Sequence, residues 1–145
     1  MSQFHLILAS DGSAGAQKAA EWIRQHFTAE TAQVTVLTVS HNPVDLGSSD
    51  FAPTPAYSEA LEDAATNDAR DAAHDTASWL QDFHPQVMVI SGRSIVPAII
   101  AYVEQHPADA IVIGRREHSL VHNLLVGSVS SGLISESSIP VWLIP

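Results

Sequence analysis

Gly114 to Ser128, GRREHSLVHNLLVGS, is the stretch whose residue types and spacing are best suited to chemistry. It follows the apolar run Ala110-Ile111-Val112-Ile113, which reads as a buried parallel strand, and its closing Gly127-Ser128 opens a short helix. A strand-loop-helix passage of this kind suits an anion, because the first N–H groups of a helix have no partner inside it and point outwards. Glycine at both ends lets backbone approach a phosphate with no Cβ in the way. The loop also holds Arg115 and Arg116, two of only six cations in the chain. A second polar turn, Ser10-Asp11-Gly12-Ser13, follows the apolar run Phe4–Ala9. Asp11 there suits either a ligand contact or an ordinary turn and helix cap.

Other chemistries find less support. His118 and His122 are four residues apart and would share one face of a helical turn, but no third ligand stands beside them, so no metal site is expected. The chain has no Gly-x4-Gly-Lys-Ser/Thr phosphate loop, no Gly-x-Gly-x-x-Gly fingerprint and no Gly-x-Ser-x-Gly nucleophile elbow. Ser128, Ser130 and Ser131 read as helix-start residues. No catalytic residue is predicted.

Strands and helices must position these loops. Phe4–Ala9, Val34–Val39, Val87–Ile90, Ala110–Ile113 and Val141–Ile144 read as five strands, several apolar on both faces as in a covered parallel sheet. Helices are expected from Ser13 to about His26, from Ser58 to about Phe83, from about Ile95 to His106, and from Ser128 to about Ser137. Pro97 is tolerated in the first turn of the third. Between Ser40 and Tyr57, Asn42-Pro43, Gly47-Ser48-Ser49 and Pro53-Thr54-Pro55 predict a long surface loop. Strands alternating with helices predict an α/β fold, a doubly wound open parallel sheet with helices on both faces. Its ligand would lie beyond the carboxyl ends of the strands, where strand order reverses.

Composition narrows the classes. At 145 residues and 46% hydrophobic, the chain suits one domain spanning residues 1–145. A net charge of −10 argues against nucleic acid and anionic membrane as partners, since basic surface recruits both. Much of the acidity lies between Asp45 and Asp82, where Arg70 is the lone cation. The absence of cysteine removes disulfides and thiolate chemistry. No long apolar segment predicts membrane insertion, and Met1–His5 does not begin a signal peptide, so a cytoplasmic location is expected.

Taken in order, these features resemble the universal stress protein family. The resemblance rests on Asp11-Gly12-Ser13 after the first strand, Gly92 after the third, and Gly114 followed at the family's spacing by Gly127-Ser128-Val129-Ser130. It implies an adenine nucleotide alpha hydrolase-like fold with strand order 3-2-1-4-5. It further implies a regulatory module of the stress response that binds ATP or AMP, with Mg2+ accompanying ATP and at most slow hydrolysis. Asp11 would lie near the ribose or base, the Val39 backbone near adenine, Gly114 at the ribose, and Gly127, Ser128 and Val129 at the phosphates. Arg115 or Arg116 would contact phosphate or neutralise Glu117. The family pairs its terminal strand across a homodimer, which points to Val141, Trp142, Leu143 and Ile144; the alternative is that the same chain covers them.

One departure stands out: the family's middle glycine is replaced by Glu117. A carboxylate about 4 Å from a phosphate charge would cost on the order of several kcal/mol at an effective dielectric near 20. ATP would then bind with Glu117 turned away, a less charged adenine nucleotide would be preferred, or the pocket would be vestigial and the protein a nucleotide-independent interaction module.

Overall fold

The structure, a computed structural model, describes residues 3–41, 55–115 and 127–145, with side chains at 41 and 55–62 outside that description. Five strands, β1 (Phe4–Ala9), β2 (Ala32–His41), β3 (Gln86–Gly92), β4 (Ala110–Gly114) and β5 (Val141–Ile144), form one sheet in the order β3-β2-β1-β4-β5. Every neighbouring pair is parallel. This is the fold class and strand order expected from the sequence. β2 and β3 are longer than their apolar runs, because their pairing continues through Ser40↔Ser91 to His41↔Gly92.

Helices α1 (Ala14–His26), α2 (Pro55–Ala77), α3 (Ile95–Gln105) and α4 (Ser128–Glu136) make the crossovers. Two cores result. On one face Ala19, Ala20 and Ile23 of α1 and Ala73 and Ala77 of α2 pack on Leu6, Leu8, Val34, Val36 and Val112. On the other, Ile99, Tyr102 and Val103 of α3 and Leu133 of α4 pack on Ile7, Leu37, Ile111 and Ile113. Crossovers stepping outwards from β1 to β3 thus use one face, and those leading back to β4 and β5 use the other. A uniform crossover hand requires this arrangement.

Two boundaries correct the sequence reading. α2 begins at Pro55, not Ser58, because proline fits the first helical turn. It also stops at Ala77, and a separate 3-10 segment covers Ser78–Phe83. The Ser78 hydroxyl donates to the carbonyl of Asp75 at 2.6 Å, a local bond that competes with helix continuation. Leu80 leaves helical geometry at φ −122 and ψ 27, and with Phe83 it is buried in the first core.

β5 is an edge strand, and its Trp142 stacks on Phe27 with ring centroids 6.1 Å apart and meets Trp22 edge-on at 6.0 Å. The C-terminal end of α1 therefore covers Trp142 within the same chain. Among the described residues, no helix is long and apolar enough to cross a membrane.

Candidate functional site

Strand order reverses between β1 and β4, since the chain leaves β1 towards β2 on one side and later enters β4 on the other. Diverging connections at such a point leave a crevice beyond the strand ends. A pocket of about 630 Å³, including its open mouth, occupies it. Its inner wall is apolar, formed by Ala9, Leu37, Val39 and Ile113 of the strands and Ile95 and Ile99 of α3. Its polar rim comprises Ser10, Asp11 and Ser13 after β1, and Gly127 and Ser130 at the start of α4.

Local structure explains each position. Ser13 caps α1, its hydroxyl accepting the N–H of Ala16 at 3.4 Å. Asp11 is exposed, and its carboxylate accepts the N–H of Ser13 at 3.0 Å, so it serves the turn while facing the pocket. Ser10 donates its N–H to the carbonyl of Leu37 at 2.9 Å, which shows that Leu37 directs its backbone groups towards β1. Val39, two residues further, directs its own N–H and C=O to the same side. β1 ends at Ala9, so these groups lie beyond the last paired residue of that strand. A flat heteroaromatic ring entering here would meet an apolar wall and a backbone donor and acceptor.

Two helix N-termini border the pocket. α4 starts at Gly127 with no side-chain capping bond, and neither α1 nor α4 carries an acidic residue in its first turn. Ser130 turns its hydroxyl back to the carbonyl of Gly127 at 3.1 Å, leaving the first amides of α4 uncapped by that side chain. The site thus joins an apolar slot to positive helix ends, a combination suited to a ligand with one aromatic and one anionic part.

The pocket brings together Asp11, Val39, Gly114, Gly127 and Val129 of the residues singled out by sequence. Ser128 is exposed on the first turn of α4 and Arg115 is half-buried, and neither is among the lining residues. The Arg115 N–H is engaged with the carbonyl of Ile144 at 2.8 Å. Arg116, Glu117, His118 and His122 lie outside the described residues. Among the described residues, no group of three or more His, Asp or Glu side chains is arranged to hold a metal ion.

Gly114 has a second reason to be glycine. A Cβ there would collide with the carbonyl of Gly15, and a Cβ on Gly15 would fall 2.5 Å from the carbonyl oxygen of Arg115. The first turn of α1 and the end of β4 therefore touch backbone to backbone. Sequence reasoning named Ser130 only as a helix-start residue, and missed Gly15 and the pair Ile95 and Ile99. The signals were a glycine inside a helix start and two isoleucines at i, i+4 spacing just after the rim at Gly92.

No curated protein sequence matches the chain. Among solved structures it is similar to universal stress protein UspA from Lactobacillus plantarum, with 23% identity, a TM-score of 0.72 and 100% of each chain covered. It is also similar to the universal stress protein from Archaeoglobus fulgidus in complex with dAMP, with 19% identity, a TM-score of 0.58 and 100% of each chain covered. A universal stress protein family protein from Arabidopsis thaliana with AMP bound shares 15% identity, with a TM-score of 0.63 over 97% of this chain and 90% of that one. At these identities the likeness establishes the fold. The sequence itself matches the universal stress protein family over residues 4–145, and the chain belongs to that family.

Proposed function

We propose that this chain is an adenine-nucleotide-binding regulatory module of the stress response, taking AMP or ATP in the pocket at the β1/β4 crevice, with Mg2+ accompanying ATP. The observation that carries this reading is the pairing, in one pocket, of an apolar slot with the N-terminus of α4, whose cap residue Gly127 makes no side-chain capping bond. Related structures hold AMP and dAMP. Adenine would lie against Leu37, Val39 and Ile99 and meet the Val39 backbone. Asp11 would accept hydrogen bonds from the ribose hydroxyls, and the α4 amides at Gly127, Ser128 and Val129 would take phosphate, with Arg115 and Arg116 supplying charge. The protein would act in the cytoplasm as a homodimer through Val141, Trp142, Leu143 and Ile144. Turnover of ATP would be slow at most.

A second reading, a nucleotide-independent interaction protein, is favoured by the contact between Gly15 and Gly114, which accounts for one family glycine by packing alone. Calorimetry with AMP, cyclic AMP and ATP, with and without magnesium, separates the two. The first reading predicts saturable heat with at least AMP. Absence of heat and of any thermal shift from all three at about 1 mM, roughly the weakest affinity of interest, would leave the second reading standing. Glu117→Gly tests the carboxylate in the loop: ATP affinity should rise relative to AMP. Sedimentation at several protein concentrations tests the homodimer.

A further inference from the structure

The turn that presents Asp11 is held from behind by α2. Ser10, 8% exposed, and Thr76 of α2, 2% exposed, share a hydroxyl–hydroxyl hydrogen bond of 2.6 Å. The same Ser10 oxygen accepts the N–H of Gly12 at 3.1 Å, closing a loop of bonds around Asp11. Gly12 sits at φ +76, and a Cβ there would fall 2.8 Å from the Cβ of Ala72. Ala72 and Thr76 are one helical turn apart and so share a face of α2. That face abuts the turn at two points, by backbone contact at Gly12 and by hydrogen bond at Ser10. Thr76 is also an odd choice for its place. A buried threonine within a helix of mainly alanine inner positions lowers helix propensity and must satisfy its hydroxyl.

We propose that Thr76 is a positioning residue for the pocket: its bond to Ser10 fixes the Ser10-Asp11-Gly12 turn so that the Asp11 carboxylate meets the sugar of a bound nucleotide. The proposal rests on the adenine-nucleotide reading above. Thr76 touches no ligand and acts through Ser10 on Asp11. Replacing its hydroxyl by a methyl of the same shape, Thr76→Val, loosens the turn by leaving Ser10 with only its bond to the Gly12 N–H, while the apolar slot and the α4 amides stay in place.

The test is a double-mutant cycle on AMP affinity with wild type, T76V, D11A and the combined variant. T76V is expected to weaken AMP roughly three- to tenfold, T76S to retain wild-type affinity, and T76V to cost nothing further once D11A is present. Thr76→Ala removes the same bond without a β-branched side chain inside the helix and should reproduce the loss, which keeps the test open should T76V fold poorly; Ser10→Ala also deletes the Gly12 bond and a rim hydroxyl and should lose at least as much. Additive losses in the combined variant would show that Thr76 acts through general packing and would overturn the proposal. Unchanged AMP affinity in T76V would overturn it while leaving nucleotide binding intact. A wild-type protein that binds no AMP would overturn both.

Discussion

Thr38 holds a buried hydroxyl with no hydrogen-bond partner among the described residues, at 4% exposure on the β2 face that α2 covers. Such a group has given up water and gained nothing in return. Thr38→Val keeps the shape and removes the orphan, so it should stabilise the protein by about 1 kcal/mol, measured as a higher urea midpoint at unchanged slope. Tyr102 offers a second residue-level test. Burial raises its phenol above the ordinary value of 10.0. The unfolded chain then releases this proton at lower pH than the native one, so the contribution is intact below about pH 10 and is lost as pH rises through the folded value. The difference in melting temperature between wild type and Tyr102→Phe should therefore change above about pH 10 and stay flat below it. At this scale the sequence was informative where a residue's role is local. Asp11 and Ser13 follow from turn and cap chemistry, but Gly15 does not, because its reason is the approach of a strand 99 residues away, at Gly114. Gly15→Ala and Gly114→Ala should each destabilise the ligand-free protein by about 1–3 kcal/mol, the usual cost of overpacking. If the glycines served only a ligand, stability without nucleotide would not change.

Among the elements, the five strands and four helices were legible because apolar runs and stripes persist along each of them. The end of α2 was not. Its alanine period continues smoothly towards Phe83, and the break at Ala77 depends on Ser78 bonding Asp75 and on Leu80 and Phe83 turning into a core that sequence does not display. β5 is the other instructive case. Its apolar character suggests an exposed edge seeking a partner, yet Trp142 already packs on Trp22 of α1 and on Phe27 just past the end of that helix. Trp142→Ala should therefore destabilise the monomer itself, by about 3 kcal/mol for a large aromatic that is only partly buried. A variant whose unfolding midpoint stays at the wild-type value would show that this aromatic cluster contributes little within the chain.

For the molecule as a whole, topology decides where a ligand can enter. The reversal of strand order between β1 and β4 opens the crevice, and the two helices following those strands aim their N-termini into it. The rim was legible from the sequence as a set of strand ends. The depth of the slot was not, since it depends on α3 laying Ile95 and Ile99 beside Leu37 and Val39. The central claim is that an adenine nucleotide occupies this crevice. Titrating AMP into isotope-labelled protein and following backbone amide resonances tests it most directly. The account predicts that Asp11, Val39, Gly127, Val129 and Ser130 shift together along a single binding curve, with β5 and the outer face of α2 unmoved. No shifts at saturating AMP, or shifts confined to residues away from the crevice, would contradict it.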